Sequence, residues 1–118
     1  MLVVDDEASV ARALERWLTR MGATVRVLSH PAEFEAVLVA EQPSIVISDF
    51  LMPVMDGVAV LGIAQRLLPS ARRCLLSGSL FLVTPTQRAA LAPCLFVEKP
   101  WDREVFAVQL GLSEGPPS

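Results

Sequence analysis

Short unbroken apolar runs alternate with stretches of helical periodicity five times along this chain. Met1–Val4, Ile45–Ser48, Arg73–Leu76 and Leu95–Glu98 read as strands. Runs this short and this apolar suit strands covered on both faces, which helix-flanked parallel sheets provide. Thr24–Leu28 instead alternates Val25 and Val27 with Thr24 and Arg26, as a strand with one wetter face does. Between them, Ala8–Met21 places Val10, Leu14, Trp17, Leu18 and Met21 at helical spacing, and Gly22 supplies a stop. Pro31–Ala40 predicts a helix with proline in its first turn and Phe34, Val37 and Leu38 inward, ended by Pro43. The loop Asp49–Asp56 leads into a helix over Gly57–Leu68, and Asp102 is placed to cap a last helix through Leu112. Leu80–Pro93 is the least regular part: Thr84-Pro85 caps a short helix through Leu91, with Leu80–Val83 as an apolar loop or first turn.

Five β-α units with such short connections admit only right-handed crossovers. The predicted architecture is therefore α/β, a flavodoxin-like (βα)5 doubly wound parallel sheet with strand order 2-1-3-4-5. At 118 residues, 53% of them hydrophobic, the chain is expected to form one domain over residues 1–113, with 114–118 as tail or linker. A net charge of −3 with scattered cations gives no footprint for nucleic acid, and no apolar run is long enough to span a bilayer. No secretory signal pattern opens the chain, so a cytoplasmic setting is expected. Cys74 and Cys94 lack CxxC spacing and read as reduced, buried core thiols.

Polar residues gather where the predicted strands end. Asp5 and Asp6 follow the first strand, Asp49 the third, Ser77 the fourth, and Lys99, the only lysine, the fifth. Singly, each is an ordinary cap or turn residue. Together they occupy the edge where open α/β sheets hold their ligands. Three carboxylates against one ammonium leave a negative pocket that attracts a divalent cation. Mg²⁺ takes hard oxygen ligands and keeps several waters, so two carboxylates and a carbonyl suffice. A carboxylate among them can attack phosphorus and form an acyl phosphate, while a lysine and a hydroxyl hold the remaining oxygens.

Val-Val-Asp-Asp-Glu at 3–7, Asp-Phe-Leu-Met-Pro-Val-Met-Asp-Gly at 49–57, Ser-Gly at 77–78 and Lys-Pro at 99–100 resemble the receiver domain of bacterial two-component response regulators. The likeness runs through essentially the whole chain. It implies a phosphorylation-controlled signalling switch, not an enzyme beyond reacting with small phosphodonors and losing its own phosphoryl group. Asp49 would be the phosphoacceptor. Asp6, Asp49 and the backbone carbonyl of Leu51 would bind Mg²⁺, or Mn²⁺ in its place, and Asp5 would act mainly through a metal-bound water. Ser77 and Lys99 would each contact a phosphoryl oxygen, Lys99-Pro100 would be cis, and Phe96 matches the aromatic whose rotamer follows Ser77. The implied partners are a histidine kinase or a histidine phosphotransfer protein.

Two features depart from the usual pattern. Leu51 and Ser79 offer no carboxylate or amide to orient water, which predicts a long-lived phosphorylated state. Leu80–Val83 is unusually apolar: it either turns inward as a helix start or, with Phe96 and the last helix, forms a face for a second copy or an output partner. Asp56-Gly57 reads as a helix-start turn, Glu7 as a solvated acid, Trp17 as core, Arg72-Arg73 as the solvated start of a strand, and His30 as a residue at a helix start. Other classes remain open: an aspartate-nucleophile phosphatase or phosphotransferase, a degenerate receiver used as a scaffold, or a flavodoxin-like cofactor binder. Against the last stands Asp5-Asp6-Glu7, which would repel an anion at the first loop.

Overall fold

The computed structural model describes residues 1–112; the 114–118 tail lies outside the described residues. Five parallel strands, β1 (Leu2–Val4), β2 (Arg26–Leu28), β3 (Ile45–Asp49), β4 (Arg72–Ser77) and β5 (Leu95–Glu98), form one sheet in the order β2-β1-β3-β4-β5. The helices between and after them are α1 (Ala8–Arg20), α2 (Phe34–Glu41), α3 (Gly57–Leu67), α4 (Pro85–Leu91) and α5 (Arg103–Leu110). The predicted architecture and strand order are both present.

Alternation along each strand sends neighbouring side chains to opposite faces. Leu2, Val4, Val46 and Leu75 pack with Phe34, Leu38, Val60, Leu61 and Leu91 beneath α2, α3 and α4. Val3, Ile45, Ile47, Cys74 and Leu76 pack with Leu14, Trp17, Leu18, Phe106 and Leu110 beneath α1 and α5. Trp17 is core, as its spacing predicts. β1 is only three residues long but lies between β2 and β3, so both of its edges are paired.

Local chemistry sets the helix ends. Asp56 accepts from the Ala59 amide at 2.9 Å to start α3, and Asp102 accepts from Val105 at 3.0 Å to start α5. Thr84 and Gln87 form a reciprocal capping box on α4, the cap read from Thr84-Pro85. Gly111, at φ 73°, ends α5 one residue after Leu110, so the helix stops short of the predicted Leu112. Pro31–Glu33 forms a 3-10 turn ahead of α2. Leu80–Leu82 forms another ahead of α4 that divides the apolar run, with Leu80 and Val83 buried and Phe81 and Leu82 exposed.

Two expectations are corrected. Arg73 is buried rather than solvated: its guanidinium donates to the carbonyls of Ala71, Leu91 and Pro93. Arg72 is exposed but not idle, since it donates to the carbonyls of Gln109 and Leu110 at the end of α5. Cys94 is half-buried, whereas Cys74 is fully buried; both are free thiols.

Candidate functional site

The sheet register sets the site. Val4 of β1 lies opposite Ser48 of β3, so the next residues, Asp5 and Asp49, come side by side at the carboxyl edge. β4 and β5 pair through Ser77 and Glu98, and the Lys99 amide extends that pairing by donating to the Ser77 carbonyl at 3.0 Å. Lys99 therefore leaves β5 aimed back across the sheet edge. Its ammonium stands 3.0 Å from Asp5 Oδ2 and 3.2 Å from Asp49 Oδ1. The Lys99–Pro100 peptide is cis, as the resemblance implied.

Each carboxylate has a distinct setting. Asp5 is 2% exposed and holds both oxygens in hydrogen bonds, Oδ1 from the Glu7 amide and Oδ2 from Lys99. Asp49 is 8% exposed, and its partners fall on Oδ1, which accepts from the Phe50 amide at 2.9 Å and faces Lys99. Among the described residues nothing engages Asp49 Oδ2, which leaves that oxygen open to a ligand. Asp6 is exposed at the rim. One carboxylate oxygen from each of Asp5, Asp6 and Asp49 lies within 4.8 Å of the others. Mg²⁺–oxygen distances of about 2.1 Å place adjacent ligands about 3 Å apart and opposite ones about 4 Å apart, so the spacing fits an ion that keeps some of its water.

Electrostatics explain how the cluster holds together. Burial pushes the Asp49 carboxyl above its ordinary range, Lys99 pulls it back, and the Asp5 charge raises it again. Burial alone would lower the Lys99 ammonium. The hydrogen bond to Asp5 and the charges of Asp49 and Asp5 outweigh it, so Lys99 titrates above its usual value. The pocket holds a fixed cation between two carboxylates that otherwise repel.

The loop after Asp49 depends on Gly57. A Cβ there would lie 2.1 Å from the Asp49 carbonyl oxygen and 2.6 Å from Leu75 Cδ1. The Gly57 amide also donates to the Phe50 carbonyl at 2.7 Å, seating α3 against the end of β3. Leu51 leaves this loop with its side chain exposed, and Val54 beyond it sits at φ 73° with its side chain 99% exposed.

Ser77 is buried, and its hydroxyl accepts from the Ser79 amide at 2.9 Å. Phe96 is half-buried against the α4 side of the core. The Arg88 guanidinium lies 4.8 Å from the centre of its ring. Sequence spacing carried no sign of that contact, because Arg88 and Phe96 sit on different elements. Trp101 packs on Trp17 and Phe106, with ring centres 6.2 and 6.4 Å away, so it joins the α1–α5 core rather than the pocket. Glu7 is exposed and contributes its amide. His30 is exposed and precedes the turn into α2.

A doubly wound α/β domain with a carboxylate cluster and a convergent lysine at the carboxyl edge of its sheet is thus defined. The profile of the response regulator receiver domain matches residues 1–110, and the chain belongs to that family. It is 40% identical over 68 residues to the DNA-binding transcriptional regulator NtrC of Proteus hauseri, a match covering 58% of this chain and 14% of that protein. It is 47% identical over 60 residues to the probable transcriptional regulator ycf27 of Pyropia yezoensis, covering 51% of this chain and 25% of that one. The crystal structure of the receiver domain of NtrX from Brucella abortus superposes with a TM-score of 0.82 at 23% identity, covering 93% of each chain. The matches thus span no more than a quarter of the length of those two curated relatives. Among the described residues, no helix is long and apolar enough to cross a membrane.

Proposed function

We propose that this domain is a phosphorylation-controlled switch whose phosphoacceptor is Asp49. The observation that carries the reading is the convergence of the buried Asp5 and Asp49 on a single lysine, with Asp6 beside them and one Asp49 oxygen open. Asp49 Oδ2 attacks the phosphorus of a donor, forming a carboxyl–phosphate bond as the donor's bond to phosphorus breaks. The donor is a histidine kinase, a histidine phosphotransfer protein or a small acyl phosphate. Lys99 draws charge from the transferring oxygens, and its fixed place between Asp5 and Asp49 means no reorganisation is needed at the moment of transfer.

Asp6, Asp49 and the Leu51 carbonyl would hold Mg²⁺, or Mn²⁺, with Asp5 acting through bound water. The ion supplies charge neutralisation for the phosphoryl group. Ser77 gives up the Ser79 amide to bond a phosphoryl oxygen, and Phe96 turns into the space released, shifting the population of one surface rather than the fold. That surface, Leu80–Pro93 with Phe96 and α5, bears the exposed Phe81, Leu82, Val105 and Val108, and is offered to a second copy or an output partner. The domain works in the cytoplasm and has no turnover beyond gaining and losing its own phosphoryl group. With apolar Leu51 and small Ser79 beside the site, its phosphoaspartate is long-lived; a half-life of seconds would contradict this.

Amide spectra recorded with Mg²⁺ and beryllium fluoride, a phosphoryl mimic, test the reading. The wild type should show a second set of resonances at Ser77, Phe96 and α4 that Asp49→Asn removes. Spectra unmoved at Ser77 and Phe96 in the wild type would overturn it.

A further inference from the structure

Arg88, on α4, touches both parts that the proposed switch must move. Its guanidinium donates to the Leu80 carbonyl at 3.0 Å, eight residues back and three beyond Ser77. The same guanidinium lies 4.8 Å from the centre of the Phe96 ring, on the neighbouring β5. This is the one cation–π contact among the described residues. Leu80 is buried in the core beneath α4, with its carbonyl also accepting from Val83, so the hold on the loop is firm. In the same arrangement the Ser77 hydroxyl accepts from Ser79 and is thus engaged with its own loop.

We propose that Arg88 is a positioning residue that restrains the switch by holding the Ser77–Val83 loop and Phe96 to one another. This rests on the proposed roles of Asp49, Ser77 and Phe96 and adds their restraint. The geometry carries the argument. One planar group spans two elements, so Leu80 and Phe96 cannot shift relative to each other without breaking the hydrogen bond or lifting the ring from under the cation. Both contacts belong to the arrangement in which Ser77 is turned to its own loop. They therefore weigh against the arrangement in which Ser77 engages a phosphoryl oxygen. Labelling proceeds from that second arrangement, so its rate rises with that arrangement's population. A partly exposed cation–π contact is worth a factor of about two to five in such an equilibrium.

The test compares Arg88→Ala, Arg88→Lys and Arg66→Ala. Arg66 is exposed on α3, and its removal changes the net charge equally, so it controls for attraction of the anionic phosphodonor. Labelling by acetyl phosphate with Mg²⁺ is followed together with the NMR signals of the Phe96 ring. Arg88→Ala should label about two- to fivefold faster than Arg66→Ala and shift the Phe96 ring signals before any phosphodonor is added. Arg88→Lys keeps a cation near the ring and should restore most of both. Equal or slower labelling in Arg88→Ala, or unmoved Phe96 signals, overturns the proposal. If Arg88→Ala fails to fold, Arg88→Lys against wild type decides, with a smaller acceleration required. Absence of labelling in the wild type would instead strike at Asp49 as phosphoacceptor, which separates the two failures.

Discussion

Two glycines of the same helix predict opposite responses to the same substitution. At Gly57 an added Cβ would stand 2.1 Å from the Asp49 carbonyl oxygen and 2.9 Å from its carbon. That is more than about 1 Å inside ordinary contact, and the obstacle is backbone, which cannot swing aside as a side chain does. Overpacking of this kind costs about 1–3 kcal/mol, and a backbone obstacle puts it at the upper end. The gain in helix propensity from Gly to Ala returns at most about 1 kcal/mol. Gly57→Ala should therefore lose about 2 kcal/mol, lowering the Tm by about 8 °C in a domain of this size. At Gly62, inside α3, nothing lies within 4 Å of the added carbon. Gly62→Ala should gain about 0.5–1 kcal/mol and raise the Tm by about 2–4 °C. Urea and thermal unfolding followed by circular dichroism measure both. Because Gly57 presses on the residue that carries the proposed chemistry, its variant should also label more slowly than Gly62→Ala. A Gly57→Ala protein as stable as the wild type would refute the claim that close backbone approach fixes this residue.

Lys99→Ala leaves Asp5 and Asp49 facing each other without their shared cation. In EDTA it should lose about 3 kcal/mol, as breaking a buried pair does, and added Mg²⁺ should restore part of that in urea unfolding; no loss would refute the pairing. Val54→Gly should gain about 1 kcal/mol, because a β-branched residue at φ 73° is strained and a side chain 99% exposed surrenders no packing; an unchanged Tm would count against strain there. Burial pushes the Cys94 thiol up to about 11, and Cys74 higher still. Only the thiolate alkylates, so Cys94 should react slowly with iodoacetamide at neutral pH and faster as pH rises toward about 11, with Cys74 protected until unfolding. The same sign makes both thiols withdraw stability as pH rises above 9, the value they start from.

The strand ends were the most legible part of this sequence. Leu2-Val3-Val4 running into Asp5-Asp6, Ile45–Ser48 into Asp49, and Leu95–Glu98 into Lys99 fix both the sheet and its charged edge, because parallel strands share one carboxyl end. Helix caps were legible too, since Asp56, Thr84 and Asp102 act within three residues of themselves. What sequence reading missed depends on distance. Arg72 and Arg73 each share a face of β4 with a buried residue, Cys74 and Leu75, so alternation does not separate them; charge predicts both to be solvated, yet Arg73 is buried. Its burial is sustained by carbonyls of Leu91 and Pro93, which no local pattern announces. The Arg88–Phe96 contact likewise joins elements whose proximity only the folded sheet creates. The Leu80–Val83 run turns inward only in part, since a 3-10 turn buries Leu80 and Val83 and leaves Phe81 and Leu82 exposed.

Intact mass after incubation with acetyl phosphate and Mg²⁺ bears most directly on Asp49 as the acceptor at this carboxyl edge. The wild type should gain one phosphoryl group, lost in EDTA and absent from Asp49→Asn. An adduct that persists in Asp49→Asn, or none in the folded wild type, would contradict the assignment.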